Sequence, residues 1–139
     1  MNDDVRTLKI GIASRDEMKA RTLAIARGEL RPAPDDPRVW FTSIESLAQV
    51  LSSKNLLLLE LIRQMKPTSM AELARRSGRK VSNLSRTLHT MEHYGFVRIR
   101  REGLRRIPET VYDRIDASLV LGATLASGAL ESGRLQVVR

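Results

Sequence analysis

The chain has 139 residues, 42% of them hydrophobic, a formal net charge of +8 and no cysteine. Such a length suits one domain, or one domain with an extension, with enough apolar content for a packed core. Without cysteine there is neither a disulfide nor a thiolate metal site, no apolar run reaches the length of a membrane span, and the acidic start MNDDVRTLKI is not a secretory signal, so the expected location is the cytoplasm.

Residues 7–13 read TLKIGIA, where Leu8, Ile10 and Ile12 alternate with Lys9 and Gly11. That is the period of a half-buried strand. Ser14 and Glu17 have the spacing of a capping box, in which each side chain takes the other's backbone amide. They open a helix over residues 15–27, and Gly28 ends it. Residues 29–38, ELRPAPDDPR, hold three prolines and no periodicity, so they read as a loop. A short strand over residues 39–42 carries the only tryptophan, Trp40. This β-α-β opening has no glycine-rich phosphate loop, which argues against a nucleotide site.

Thr42 and Glu45 repeat the capping-box spacing and open a helix with Ile44, Leu47, Ala48 and Leu51. Ser53 is placed to cap the next helix, residues 54–65. Its run Leu56, Leu57, Leu58 and Leu59, with Leu61 and Ile62, is apolar nearly all round. Such a helix is expected to be covered on more than one side, either between two layers of this chain or at a dimer interface. Lys66 and Pro67 stop it.

The stretch 69–96, SMAELARRSGRKVSNLSRTLHTMEHYGF, reads as a helix-turn-helix. Ser69 and Glu72 predict a further capping box, starting a short helix with Met70, Leu73 and Ala74 on one face; Gly78 is placed to end it, since glycine enters the left-handed conformation without penalty. A second helix is expected over residues 80–94. Its apolar residues Val81, Leu84, Leu88 and Met91 follow 3-4-3 spacing, the stripe of a helix packed on one side. The other side carries Ser82, Asn83, Ser85, Arg86 and His89. Short hydrogen-bonding groups and one long cation near a helix N-terminus suit the reading of base edges, with Arg86 fitted to guanine and Asn83 to adenine.

After Tyr94-Gly95-Phe96, Val97 and Ile99 point one way and Arg98 and Arg100 the other; Glu102-Gly103 turns the chain and residues 104–107 return. A hairpin with cations at its tip, directly after a helix-turn-helix, reads as a wing whose arginines reach phosphates or the minor groove. Pro108 interrupts, and residues 110–120 resume as a strand in which Val111, Ile115, Ala117 and Leu119 share a face. The tail 122–139, rich in Gly, Ala and Ser, is expected to be mobile when free and to offer apolar residues to a partner.

Charge singles out the same region. Arg63, Lys66, Arg75, Arg76, Arg79, Lys80, Arg86, Arg98, Arg100, Arg101, Arg105 and Arg106 face only Glu72, Glu92 and Glu102, a surplus of +9 against −1 for the rest of the chain. A concentrated patch of this kind is the footprint of a phosphate-binding surface. Ten of its twelve cations are arginine, which favours forked contacts to phosphate and base.

Catalysis finds little support. His89-Thr90-Met91-Glu92-His93 matches the H-x-x-E-H pattern of one zinc-protease class, but Met91 belongs to the core stripe and no third histidine exists. No serine sits in a G-x-S-x-G elbow, so no nucleophilic triad assembles. The chain reads as a non-enzyme without cofactor or metal. Its 4% aromatic content offers few stacking platforms for RNA.

The run MAELARRSGRKVSNLSRTLHTMEHYGFVRIRREG resembles the winged helix-turn-helix of MarR-type and ArsR-type transcriptional regulators. The L-A-x-x-S-G step, N-L-S-R-x-L and Glu92-His93-Tyr94-Gly95-Phe96-Val97 carry the likeness, over residues 53–107. K-I-G-I at the start, W-F-T-S-I-E-S-L before the leucine helix and Y-D-R-I-D after the wing are similar to a small group of predicted MarR-like regulators taken as antitoxins of type II pairs. The resemblance implies dimeric operator binding, autorepression and neutralisation of a cognate toxin. The flanking strands depart from the long dimerisation helices of MarR proteins, which sets the usual phenolic-ligand pocket in question.

The expected fold class is α+β: a winged helix-turn-helix (residues 44–107) with an N-terminal β-α-β extension (1–43) that makes a homodimer, an extra C-terminal strand (108–121) and a tail (122–139). Ser82, Asn83, Ser85 and Arg86 are the candidate base readers. Arg79, Lys80, Arg98, Arg100, Arg101, Arg105 and Arg106 are the candidate backbone contacts on double-stranded DNA. The functional expectation is a sequence-specific regulator and autorepressing antitoxin, the alternative a stand-alone repressor answering to a small ligand.

Overall fold

The computed structural model describes residues 5–119 and 121; the expected tail, 122–139, lies outside them, as does Val120. The fold is α+β. In chain order come β1 (Thr7–Ile12), α1 (Arg15–Ala26), β2 (Val39–Phe41), α2 (Ile44–Val50), α3 (Ser53–Met65), α4 (Met70–Ser77), α5 (Val81–His93), β3 (Val97–Glu102), β4 (Arg105–Thr110) and β5 (Arg114–Ser118). One sheet has the order β2-β1-β5 and the other is the β3-β4 hairpin. The described residues divide into two compact units, 5–8 with 45–116 and 9–44 with 117–119 and 121.

In the second unit β1 and β2 run parallel, with Gly11 opposite Trp40. The α1 start carries the complete capping box between Ser14 and Glu17. At its end Gly28, with φ 76, donates to Ile25 and Glu29 donates to Ala24, the paired bonds of a Schellman motif. Trp40 lies across its strand partner: a side chain on Gly11 would collide with the indole ring. The Arg21 guanidinium sits 5.4 Å from the ring centroid and bonds Asp36 at 2.8 Å. Asp36 also accepts from the Ala33 amide, and that bond first, then Arg21, holds its carboxyl below the usual range.

The first unit is the winged helix-turn-helix. Its core is Leu58, Ile62, Met70, Leu73, Leu84, Leu88, Met91, Phe96, Val97 and Ile107. The α5 stripe is buried as its spacing requires, except that Val81, first residue of the helix, is 45% exposed. Gly78 ends α4 with φ 75. Gly95, with φ 87, ends α5 through a second Schellman motif, its amide bonding Glu92 and the Phe96 amide bonding Met91. That motif turns Phe96 into the core and launches β3.

Several local expectations shift. The α3 cap is Ser52, not Ser53, and accepts from the Asn55 amide. The α2 helix begins at Ile44, so Ser43 and not Thr42 stands immediately before it. Ser69 does cap α4, yet the Glu72 carboxylate takes the Thr68 amide and hydroxyl in place of the Ser69 amide. Those Thr68 bonds hold it below the ordinary glutamate range. The leucine run of α3 is buried on one side only: Leu58 is sealed while Leu57 is 71% exposed. Lys66 ends that helix in the left-handed region, φ 47.

Pro108 does not interrupt. It is buried within β4, opposite Ile99, and pairing continues to Val97 and Thr110. A two-stranded hairpin leaves each strand one free edge, so a residue without N–H is tolerated there. The following strand is shorter than expected, and Ala117 and Leu119 are exposed. It begins where Asp113 and Arg114 amides bond the Arg6 carbonyl.

Gly11→Ala is expected to cost about 1–3 kcal/mol, the usual range for overpacking, read as a lower urea midpoint. An unchanged midpoint would mean the Trp40 ring slides aside freely.

Candidate nucleic-acid interface

Burying Leu84, Leu88 and Met91 turns Ser82, Asn83, Arg86 and His89 to solvent, with Ser85 half-buried. The α5 start is unobstructed: Lys80 occupies the cap position, is exposed, and makes no side-chain capping bond. Its first-turn amides, the positive end of the helix dipole, therefore have no side-chain cap.

The hairpin lies along this helix. The Ile99 amide donates to the Glu92 carboxylate at 3.1 Å, and Arg106 donates to the Ser85 hydroxyl at 3.4 Å. Between the two elements is a cleft of about 490 Å³ lined by Ser82, Ser85, Arg86, His89, Glu92, Ile99, Arg101 and Arg106. Arg86 stands on a ridge, because it also lines a second cleft with Gln49, Val50, Asn55, Thr87, Thr90 and Met91. Asn83 lines neither described cleft.

The structure separates the wing arginines, which sequence reading had grouped. The register places Arg101 opposite Arg106, Arg98 opposite Glu109 and Glu102 opposite Arg105. Alternation then gives the hairpin two unlike faces. Toward α5 stand Arg101 and Arg106, neither with a carboxylate ion-pair partner among the described residues. On the reverse face Arg98 and Arg100 bond Glu109 at 2.9 and 2.7 Å, Arg100 also meets Glu102 at 3.2 Å, and Arg105 lies 3.5 Å from Glu102. Three of the five wing arginines expected to contact the DNA backbone are thus already ion-paired within the hairpin, to the two carboxylates of Glu102 and Glu109.

Arg79 is engaged as well. Its guanidinium donates to the Lys54 carbonyl and to the Asn55 amide oxygen, both at 3.1 Å, and so ties the helix-turn-helix corner to the start of α3. Glu92 and Glu109 were missed as organising residues. Glu109 could have been found by carrying the hairpin register one pair past Pro108.

His89 and His93 are both exposed on α5, and His93 meets Tyr94 edge-on at 5.0 Å. Among the described residues no group of three potential ligands for a metal ion forms, and no helix is long and apolar enough to cross a membrane.

Comparison with known proteins gives three findings. Residues 50–117 match the family model described as HVO_A0114. No curated protein matches the chain. Among solved structures the chain is similar to the crystal structure of a predicted DNA-binding transcriptional regulator from E. coli, at 23% identity and a TM-score of 0.43, covering 68% of this chain and 84% of that one.

Bonds from Arg100 first, then Arg98, hold the Glu109 carboxyl below the ordinary glutamate range, and Arg100 is raised in turn, chiefly by Glu109. A carboxyl lowered on folding adds stability above the unfolded glutamate pKa and loses it as pH falls through the folded value. Glu109→Gln is therefore expected to be less stable than wild type at neutral pH. Urea midpoints of the two should converge in acid below the usual glutamate range. A gap independent of pH would mean that the charge on Glu109 is not its source.

Proposed function

We propose that the chain is a sequence-specific DNA-binding transcriptional regulator, with α5 in the major groove and the α5-facing side of the wing on the sugar-phosphate backbone. One observation carries this reading. The cations beside the polar face of α5, Arg86, Arg101 and Arg106, have no carboxylate ion-pair partner among the described residues, whereas those on the reverse of the hairpin do. Unpaired guanidinium groups gathered around one cleft concentrate positive potential where an anion can enter. Duplex DNA supplies the missing anions, and release of its counterions drives binding.

Within this reading Arg86 and Asn83 contact base edges, Ser82 and Ser85 assist, and Lys80 with the α5 amides holds a phosphate. Two copies of the chain grip a palindromic site, since two-fold protein symmetry matches two-fold operator symmetry. We assign dimerisation to the N-terminal β-α-β segment and β5.

The finer reading, an autorepressing antitoxin that also binds a cognate toxin, rests on the family resemblance. Copurification with the product of an adjacent gene supports it, and a protein that represses its own promoter but retains no such product counts against it. The alternative, a stand-alone repressor answering to a small ligand, has one observation behind it. The reverse of the hairpin borders a cleft of about 460 Å³, where Arg6, Lys66, Arg100 and Arg105 surround Ile107 and Pro108. Release of promoter DNA by a small organic anion would favour that alternative.

Arg86→Ala is expected to weaken binding to the protein's own promoter by about 1–3 kcal/mol while sparing random DNA. Equal loss on both would reduce Arg86 to a phosphate contact. Arg101→Ala and Arg106→Ala should each weaken all sequences and lower the salt slope by about one. Arg98→Ala should do much less; a loss as large as that of Arg101→Ala would sink the two-faced wing.

A further inference from the structure

Leu104 is fully exposed at the outermost point of the β3-β4 hairpin. The turn has two residues, Gly103 and Leu104, between the paired Glu102 and Arg105. Gly103 takes φ 63, and Leu104 is not among the positive-φ residues, the order of a type II′ turn. Small polar residues usually fill such positions. A leucine here buries nothing in its own chain and leaves apolar surface in water. Its neighbours Arg101, Glu102 and Arg105 are exposed and charged. An apolar point ringed mainly by cations suits a partner with anions outside and apolar stacking inside, which is the layout of a DNA groove.

Its place in the fold agrees. The hairpin touches α5 first where Ile99 meets Glu92 and again where Arg106 meets Ser85, seven residues nearer the helix start. The hairpin pair nearer the turn thus meets α5 nearer its start, so the turn lies on the side of the base-reading end. With that end in the major groove, the turn reaches the flanking backbone and the groove beyond it.

We propose that Leu104 is a wedge. It enters the groove next to the one holding α5 and inserts at a base step, unstacking it and bending the duplex, while Arg101, which has no ion-pair partner among the described residues, holds a phosphate beside it. This rests on the DNA-binding reading above. Unstacking is cheapest at pyrimidine-purine steps. The wedge therefore adds sequence preference at a position where no polar side chain reads a base.

The test uses the full chain and a duplex from its own promoter, end-labelled for energy transfer, with 2-aminopurine at steps flanking the footprint. Wild type is expected to bend the duplex by about 20–90° and to raise 2-aminopurine fluorescence at one step on each side of the footprint, as the two-fold symmetry of the proposed dimer requires. Leu104→Ala should keep its circular dichroism and still bind, yet lose both signals; Leu104→Phe should restore them. Bending and fluorescence unchanged by Leu104→Ala, or wild-type binding with no bend, overturns the wedge and leaves the DNA-binding reading standing. Failure of wild type to bind any duplex removes that reading and the wedge with it. Loss of self-association in Leu104→Ala with bending intact assigns the tip to a protein contact and also overturns the proposal.

Discussion

Leu84, Leu88 and Met91 recur at four- and three-residue spacing and are wholly withdrawn from solvent, which leaves α5 a single rotational setting. Turning the helix by one residue, about 100°, would expose part of this stripe and bury a polar group in its place. Each apolar side chain brought out of water contributes about 1.5–3 kcal/mol. Repulsion between two close surface guanidinium groups is about 1–4 kcal/mol before salt screens it, less than the burial of the three side chains together. Apolar burial therefore wins, and the cations gather on one side because the core requires it. Their arrangement is a consequence of packing that an anionic partner can then exploit.

Glycine converts that packing into a surface. The left-handed Gly95 lets Phe96 fold back over Met91, so the chain leaves α5 already aimed along it. Glu92 then fixes the first strand of the hairpin through the Ile99 amide, and Arg106 fixes the second through Ser85. Helix and hairpin present one continuous cleft because each is held to the other at two levels. The reverse of the hairpin is a different electrostatic object, with Glu109 clamping two arginines.

Features with local causes were legible from sequence. The α5 stripe, Gly28 and Gly78 as helix ends, the Ser14 capping box and the β-α-β opening all follow from periodicity and single-residue chemistry. Errors arose where two segments had to be placed together. Pro108 reads as a break because a lone strand gives no hint of which edge is free, and that reading hides the pairing that sets Glu109 against Arg98. The count of cations was sound, but a count carries no parity, so five wing arginines were read as one set. Arg79 looked like a phosphate ligand until its reach to Lys54 and Asn55 became visible. Of the two covers that the leucine run of α3 predicts, a second layer of the same chain does not hold Leu57, which is exposed.

A hairpin closed by two residues has no slack. Side chains alternate across it, so inserting or deleting one residue in β3 would exchange the two faces beyond that point. Arg100 would move to the cleft and Arg101 to the reverse, and Glu109 would lose its clamp on Arg100. Insertion of a single uncharged residue could thus relocate the positive potential of the wing without altering net charge or any helix. Related chains with the same helices but a hairpin one residue longer or shorter should therefore differ in the charge they present beside α5 more than their overall identity suggests.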